Sequence, residues 1–443
     1  MGTNRNKLLV ISMDALGAPD VSFFKELPGF KRFLETASYC FNVSSVYPSI
    51  TYPAHTSIIT GCYPKKHGIV NNLRRQFGTP SPDWFWQRMF IKTTTLYDEA
   101  LNAGMSVASF LWPVTGKSRI TWNMPEIFAN RPWSNQILTS LNNGTVTFQA
   151  LMQKNFGHIR QGRSQPALDN FVMECLKWTL EKKQPDVALV HLTDVDSQRH
   201  LHGTRSQEAR DAIVRHDARL RSIFETLERA GLYHNTNIIV LGDHYQKDTV
   251  KAVHVNYWFA QKGWITMRGN AIHQWQAYCQ NCDGSAYVYI RKGCGHIKDE
   301  VRELLDALAA DGDSGIEQVI GGKDAAAMGA DPHCSFMLEA RDGYYFQDSV
   351  NGPERSVAFS EGLPEAEKKP DPSSIPMHAT HGYFPGKPGY QTVFMASGPD
   401  ICENVEIPSM CLVDEGPTMA RLLGLTLPEA DGRVLTSIIK PQE

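Results

Sequence analysis

At 443 residues the chain is long enough to bury a large core, and 42% hydrophobic with 21% charged residues is the balance of a folded protein rather than a disordered one. A formal net charge of -3 supplies no basic surface for a nucleic-acid polymer and no cationic excess for an anionic membrane. Histidine, at 15, is the count that stands out, and nine scattered cysteines, an odd number, predict reduced thiols rather than a disulfide framework.

The first predicted strand is "KLLVISM" (7–13), which ends against Asp14. Its apolar run is too short for a signal h-region, so a cytoplasmic address is expected. No run approaches the ~18 apolar residues that cross a bilayer, so no membrane partner is expected either. "TYPAHTSIITG" then predicts a helix from Thr51 to Gly61, with Pro53 in its first turn. Thr51 has two readings there. It is an N-cap, or it is a hydroxyl beside helix N–H groups that favour an anion such as phosphate. The second reading needs something, such as a bound dication, to make the hydroxyl a competent nucleophile.

Further buried-strand runs follow at "MSVASFLW" (105–112) and "DVALVHL" (186–192), the latter leading into Asp194, Asp196, His200 and His202. Asp196 and His200 are four apart, which on a helical turn puts both on one face, as a shared metal ion requires. A long amphipathic helix is expected from N-cap Ser206 to Gly231, burying Ile213, Leu220, Ile223, Phe224 and Leu227. "NIIVLG" (237–242) ends in Asp243 and His244.

Residues 245–375 contain the strand-like "GSAYVYI" and "CSFMLEAR" around a helical "HIKDEVRELLDALAAD", and are read as an inserted α+β subdomain. The remaining 1–244 and 376–443 form the core. Within the insertion Cys279, Cys282, Cys294 and His296 are either a third, structural metal site or ordinary thiols. "EGLPEAEKKPDPSSIP" (361–376) is a Pro-rich loop that either stays solvated or acts as a lid. It leads to His378 and His381, just before a last strand, "QTVFMAS" (391–397).

Strand–helix–strand alternation predicts an α/β fold with a parallel sheet, and ligands bind beyond the carboxyl ends of its strands. Carboxylates and imidazoles recur at those ends. They make two sites of nitrogen and oxygen donors, a mix better suited to zinc or manganese than to calcium.

In order along the chain, "VISMDALG", "TYPAHTSIITGCYPKKHGI", "DVDSQRHLHG", "GDHYQKD" and "THGYFPG" resemble the motifs of the nucleotide pyrophosphatase/phosphodiesterase family of the alkaline phosphatase superfamily. The resemblance implies an alkaline-phosphatase-like, mostly parallel sheet flanked by helices. It implies two Zn2+ ions per chain, with Mn2+ as the alternative: one among Asp14, Thr51, Asp243 and His244, the other among Asp196, His200 and His381. Thr51 would be the nucleophile that carries a phosphothreonine intermediate, and Asn72 a donor to a phosphoryl oxygen. Tyr52 and His191 would be aromatic contacts for a nucleobase.

The implied substrate is a small phosphodiester or nucleotide. Arg199 and Tyr245 stand where the family has glycine, and would narrow the site. His55, His67, His202 and His378 have no matched ligand role and are expected behind the ligands or on the surface. The same frame serves phosphomonoesterases, phosphonate hydrolases and sulfatases. Arg74 and Arg75 keep the monoesterase alternative open, and a nucleotide-binding protein without activity is the non-enzymatic one.

Overall fold

The computed structural model describes residues 5–441 except 78, 80, 270 and 351–376. The expected lid segment therefore lies outside the described residues. Six strands precede residue 245: β1 (Lys7–Met13), β2 (Ser38–Ser44), β3 (Val107–Phe110), β4 (Trp122–Met124), β5 (Val187–Leu192) and β6 (Thr236–Leu241). Then come β7 (Lys247–Val253), β8 (Ile265–Arg268), β9 (Ala271–Trp275), β10 (Ala277–Cys282), β11 (Ser285–Ile290), β12 (Ile316–Gly321), β13 (Phe336–Ala340) and β14 (Gly343–Phe346). The last are β15 (Ala379–Thr380), β16 (Thr392–Ser397) and β17 (Met410–Cys411).

The main sheet has the order β17-β2-β16-β6-β1-β5-β3-β4. β1 sits in its middle, parallel to β5 on one side and β6 on the other. Buried on both faces, it alternates between two cores. Leu8 and Val10 face one that includes Ile58, Ile59 and Leu412, whereas Leu9, Ile11 and Met13 face the other, with Leu220, Ile223 and Phe224. The latter three belong to the helix Gln207–Arg229, whose Ser206 hydroxyl accepts from Ala209 N at 3.1 Å and whose chain leaves through Gly231 at φ 68°. Both of its ends and its buried face were legible in the sequence.

The sheet is mostly parallel, as expected, but β16 runs antiparallel to both neighbours. The cause is the path of the chain. It leaves β6 at the carboxyl end and returns to that same end after a long excursion, so the strand that follows has to run back down the sheet. That return brings residues just before β16 to the edge where β1, β5 and β6 finish.

The excursion forms an antiparallel sheet of its own, β10-β11-β13-β12, with the helix Lys298–Ala310 against it. All nine cysteines are unpaired, as their scatter predicts. Cys279 and Cys282 are three apart on β10 and fall in different cores, on opposite faces of the strand, so they cannot share an ion.

Candidate active site

The carboxyl edge of the main sheet gathers the predicted polar residues. Asp14 follows β1, and Asp243 and His244 follow β6. Asp196 and His200 lie on the helix Asp194–His202 after β5, and His381 follows β15. Two trios result, Asp14 with Asp243 and His244, and Asp196 with His200 and His381, in each of which the ligand atoms lie within 4.8 Å of one another. The trios adjoin, with the rings of His244 and His381 4.2 Å apart.

Backbone details fix this arrangement. Gly242 lets the loops after β1 and β6 touch, since a Cβ there would stand 2.0 Å from the Leu16 carbonyl oxygen. Ala15, without the freedom of glycine, is held in the left-handed region at φ 63°, and its N–H donates to Asp243 Oδ1 at 3.2 Å.

In the first trio His244 Nε2 lies 3.5 Å from Asp14 Oδ1 and 3.2 Å from Asp243 Oδ2. Among the described residues, both of those carboxylate oxygens are buried without a hydrogen-bond partner. Burial, reinforced by neighbouring carboxylates, pushes Asp14 up to about 7 and Asp243 well above the usual carboxylate range, while burial holds His244 low. Carboxylate oxygens left without donors in a dry site are costly, and a cation held between them is the natural compensation. The residues therefore fit a divalent ion. In the second trio burial is outweighed by the ion pair, so Asp196 is held low by His200 and His381 while Asp196 lifts His200 to about 9. His200 Nδ1 donates to the Ala379 carbonyl at 2.8 Å, which leaves Nε2, 3.3 Å from Asp196 Oδ1, for a ligand.

Thr51 is the first residue of the helix Thr51–Thr60, one position past the N-cap Ile50, and its hydroxyl makes no cap. Its Oγ1 lies 3.2 Å from His244 Nε2 instead. Asn72 Oδ1 accepts from Tyr52 N at 2.8 Å, so the amide is oriented and its Nδ2 donors point the other way. Behind Thr51, His55 links its carbonyl (2.9 Å) to the Ser12 hydroxyl (2.8 Å), the supporting role expected of it. His67 binds Ser57 Oγ at 2.9 Å and is a core residue.

Two predicted substrate contacts are corrected. His191 is fully buried, with Nε2 2.9 Å from Asp14 Oδ2 and Nδ1 3.0 Å from Glu126 Oε2. Despite burial, the two carboxylates push it well above the usual imidazole range, and it orients Asp14 rather than stacking on a ligand. Tyr52 is buried too, edge-on to Trp84 at 5.1 Å, its hydroxyl donating to Glu126 Oε1 at 3.2 Å. Neither ring has an open face. Glu126, which ties the two together, lies in a loop with no periodicity, and nothing in the sequence singled it out. Asp194 is also elsewhere, paired with Arg215 Nε at 2.7 Å and Arg219 Nη1 at 2.9 Å.

A cavity of about 850 Å3 opens beside the second trio, bounded by Asn72, His200 and His381 on one side and by Phe77, Trp84 and Tyr278 as its aromatic wall. Arg74 and Arg75 are outside its lining, their guanidinium groups over the rings of Phe90 (4.6 Å) and Tyr289 (3.6 Å).

Arg199 and Tyr245 do not narrow the site; they pack against each other. The buried Arg199 guanidinium lies 4.7 Å over the Tyr245 ring, pairs with Asp20 and donates to the Ala15 carbonyl, so the helix carrying Asp196 and His200 is clasped to the loop carrying Asp14. Arg199→Ala leaves Asp20 unpaired in the interior and is expected to cost about 3–5 kcal/mol in a urea melt. A loss under 1 kcal/mol would deny the clasp a structural role.

A family model described as type I phosphodiesterase / nucleotide pyrophosphatase matches residues 8–384. Venom phosphodiesterase 2 of Crotalus adamanteus is 27% identical over 257 residues, 55% of this chain and 27% of that protein. Ectonucleotide pyrophosphatase/phosphodiesterase family member 1 of Homo sapiens is 25% identical over 231 residues, 49% of this chain and 21% of that protein. The matched region thus spans only about a quarter of these curated relatives. Among solved structures, human ectonucleotide pyrophosphatase / phosphodiesterase 5 superposes with a TM-score of 0.68 at 17% identity, covering 98% of this chain and 100% of that one. An inactive murine form of that protein in complex with AMP gives a TM-score of 0.67 at 17% identity with the same coverage. These structures share the fold.

Proposed function

Because the chain belongs to the type I phosphodiesterase / nucleotide pyrophosphatase family, we propose that it hydrolyses phosphodiester or pyrophosphate bonds of nucleotides or related small molecules at this site. One observation carries the reading: the Thr51 hydroxyl, unused by its helix, stands 3.2 Å from His244 where two adjoining trios of metal-ligating side chains meet. Asp14, Asp243, His244 and the Thr51 hydroxyl would hold one Zn2+, and Asp196, His200 and His381 the other, with Mn2+ the alternative for the same nitrogen and oxygen donors. Bound there, the ions supply Lewis acidity, lowering the pKa of a hydroxyl and offsetting charge that develops on oxygen.

The chain's own groups do the rest. Thr51 Oγ1 forms a bond to phosphorus as the bond to the departing alcohol or nucleotide breaks, and water then hydrolyses the threonine ester in a second displacement. Asn72 Nδ2 and the first-turn N–H of Thr51 would donate to the phosphoryl oxygens. The departing group lies in the 850 Å3 cavity, where Phe77, Trp84 and Tyr278 supply the flat surfaces that Tyr52 and His191 cannot. A monoesterase would want a guanidinium over its terminal phosphate, and Arg74 and Arg75 are engaged elsewhere.

The test sets a chromogenic phosphodiester beside the matching monoester, with zinc-loaded protein. Diester kcat/KM about tenfold or more above that of the monoester is expected. Equal or reversed preference would move the chain to the phosphatases, and no turnover of either would remove the hydrolase reading.

A further inference from the structure

We propose that Asp283 is a positioning residue for the second trio: its carboxylate takes the Nδ1 side of His381, so that Nε2 is the nitrogen presented beside Asp196 and His200. The inference rests on the reading of that trio as a metal site. Among the described residues His381 Nδ1 is buried without a hydrogen-bond partner, and Asp283 Oδ2 stands 3.4 Å from it. His381 Nε2 lies 3.9 Å from Asp196 Oδ1. His200 already has the corresponding device, its Nδ1 committed to the Ala379 carbonyl at 2.8 Å. A metal-binding imidazole needs such a partner to fix its tautomer and ring orientation, and a carboxylate also raises its basicity. Asp283 is not one of the three residues whose ligand atoms converge, which makes it a support rather than a ligand.

The placement is built by backbone. Asp283 and Gly284 form the two-residue turn between β10 and β11, with Asp283 in the left-handed region at φ 61°. Gly284 N donates to the His381 carbonyl at 2.8 Å, and Ser285 Oγ to the Gly382 carbonyl at 2.6 Å. Phe346 N donates to the Asp283 carbonyl at 2.7 Å. Gly382 packs so closely that a Cβ there would meet the Cys282 carbonyl oxygen at 1.8 Å. The hairpin of the four-stranded sheet is thus fastened to the segment that carries His381, and the Asp283 carboxylate travels with it. An aspartate chosen only for its tolerance of the turn would be replaceable by asparagine or glycine, which accept the same backbone.

The test uses that equivalence. Full-length protein stripped with a chelator is titrated with Zn2+ against a chromophoric competitor, as the parent, Asp283→Asn and Asp283→Gly. The parent is expected to bind two ions. Both variants should bind one of the two about 10–100-fold more weakly and the other unchanged, with the melting temperature of the metal-free form close to the parent's. Parent-like affinity for both ions in both variants overturns the inference and leaves the metal reading intact. A parent that binds fewer than two ions overturns both. Should the asparagine variant fail to fold, the glycine variant decides.

Discussion

Thr51→Ala is expected to lower kcat for diester hydrolysis by about 10^4-fold or more while the protein keeps its fold and its bound metal. The structure separates these effects. A threonine at an N-cap would lose a helix-stabilising bond on truncation, but Ile50 holds that position and the Thr51 hydroxyl caps nothing. The helix is fixed instead by Asn72, which takes the N–H of Tyr52, and by His55, which takes the carbonyl of Thr51. Loss of one hydroxyl and one methyl should therefore cost within about 1 kcal/mol in a thermal melt. Thr51→Ser keeps the oxygen and should keep most of the rate. Alanine turnover within tenfold of the parent's would take the nucleophile away from Thr51.

The second large effect is a change of sign. Asp243→Asn is expected to reduce activity on the order of 10^3-fold, through loss of the first trio's cation. In the metal-free protein it should raise stability by about 1–3 kcal/mol, because a negative charge whose Oδ2 is buried without a hydrogen-bond donor is removed. The pH dependence follows from burial, which raises Asp14 to about 7 and Asp243 above its ordinary range. The native metal-free state therefore binds more protons than the unfolded chain between their two titrations. The stability these two carboxylates contribute is complete below about pH 4 and is lost as pH rises through about 7. Denaturant melts across that window should show the slope in the metal-free parent, a weaker slope in Asp243→Asn, and a slope of opposite sign once zinc holds the ligands deprotonated. A metal-free variant less stable than the parent at pH 7 would mean that Asp243 is satisfied without an ion.

The gathering of these side chains was legible because their residue types are rare at strand ends. Asp14, Asp243 and His244 each terminate an apolar run, and Asp196 and His200 share a helix face, so period and composition alone brought five candidate ligand residues to one edge. Burial was not legible. Tyr52 and His191 read as open aromatic contacts until Trp84 and Glu126 close over them, and both covering residues come from loops whose course local propensity does not set. The direction of β16 was hidden for a similar reason, since it depends on where a long excursion returns rather than on the strand's own residues. Asp283 had a signal that passed without use: an Asp-Gly pair between two strand-like runs marks a tight hairpin turn, whose tip can be carried to a distant edge.

The central position of β1 bears on how the chain is made. Its neighbours β5 and β6 are both late, so the first strand leaves the ribosome with neither edge satisfied and acquires its first parallel partner only when Leu192 has been synthesised. At ~5–20 residues per second that wait is roughly ten seconds or longer. Throughout it, a segment apolar except for Lys7 and Ser12, with free N–H and C=O groups on both sides, is open to pairing with a neighbouring nascent chain. Residues 7–13 are therefore a segment of the growing chain that a holdase would serve, and one through which truncated products would aggregate.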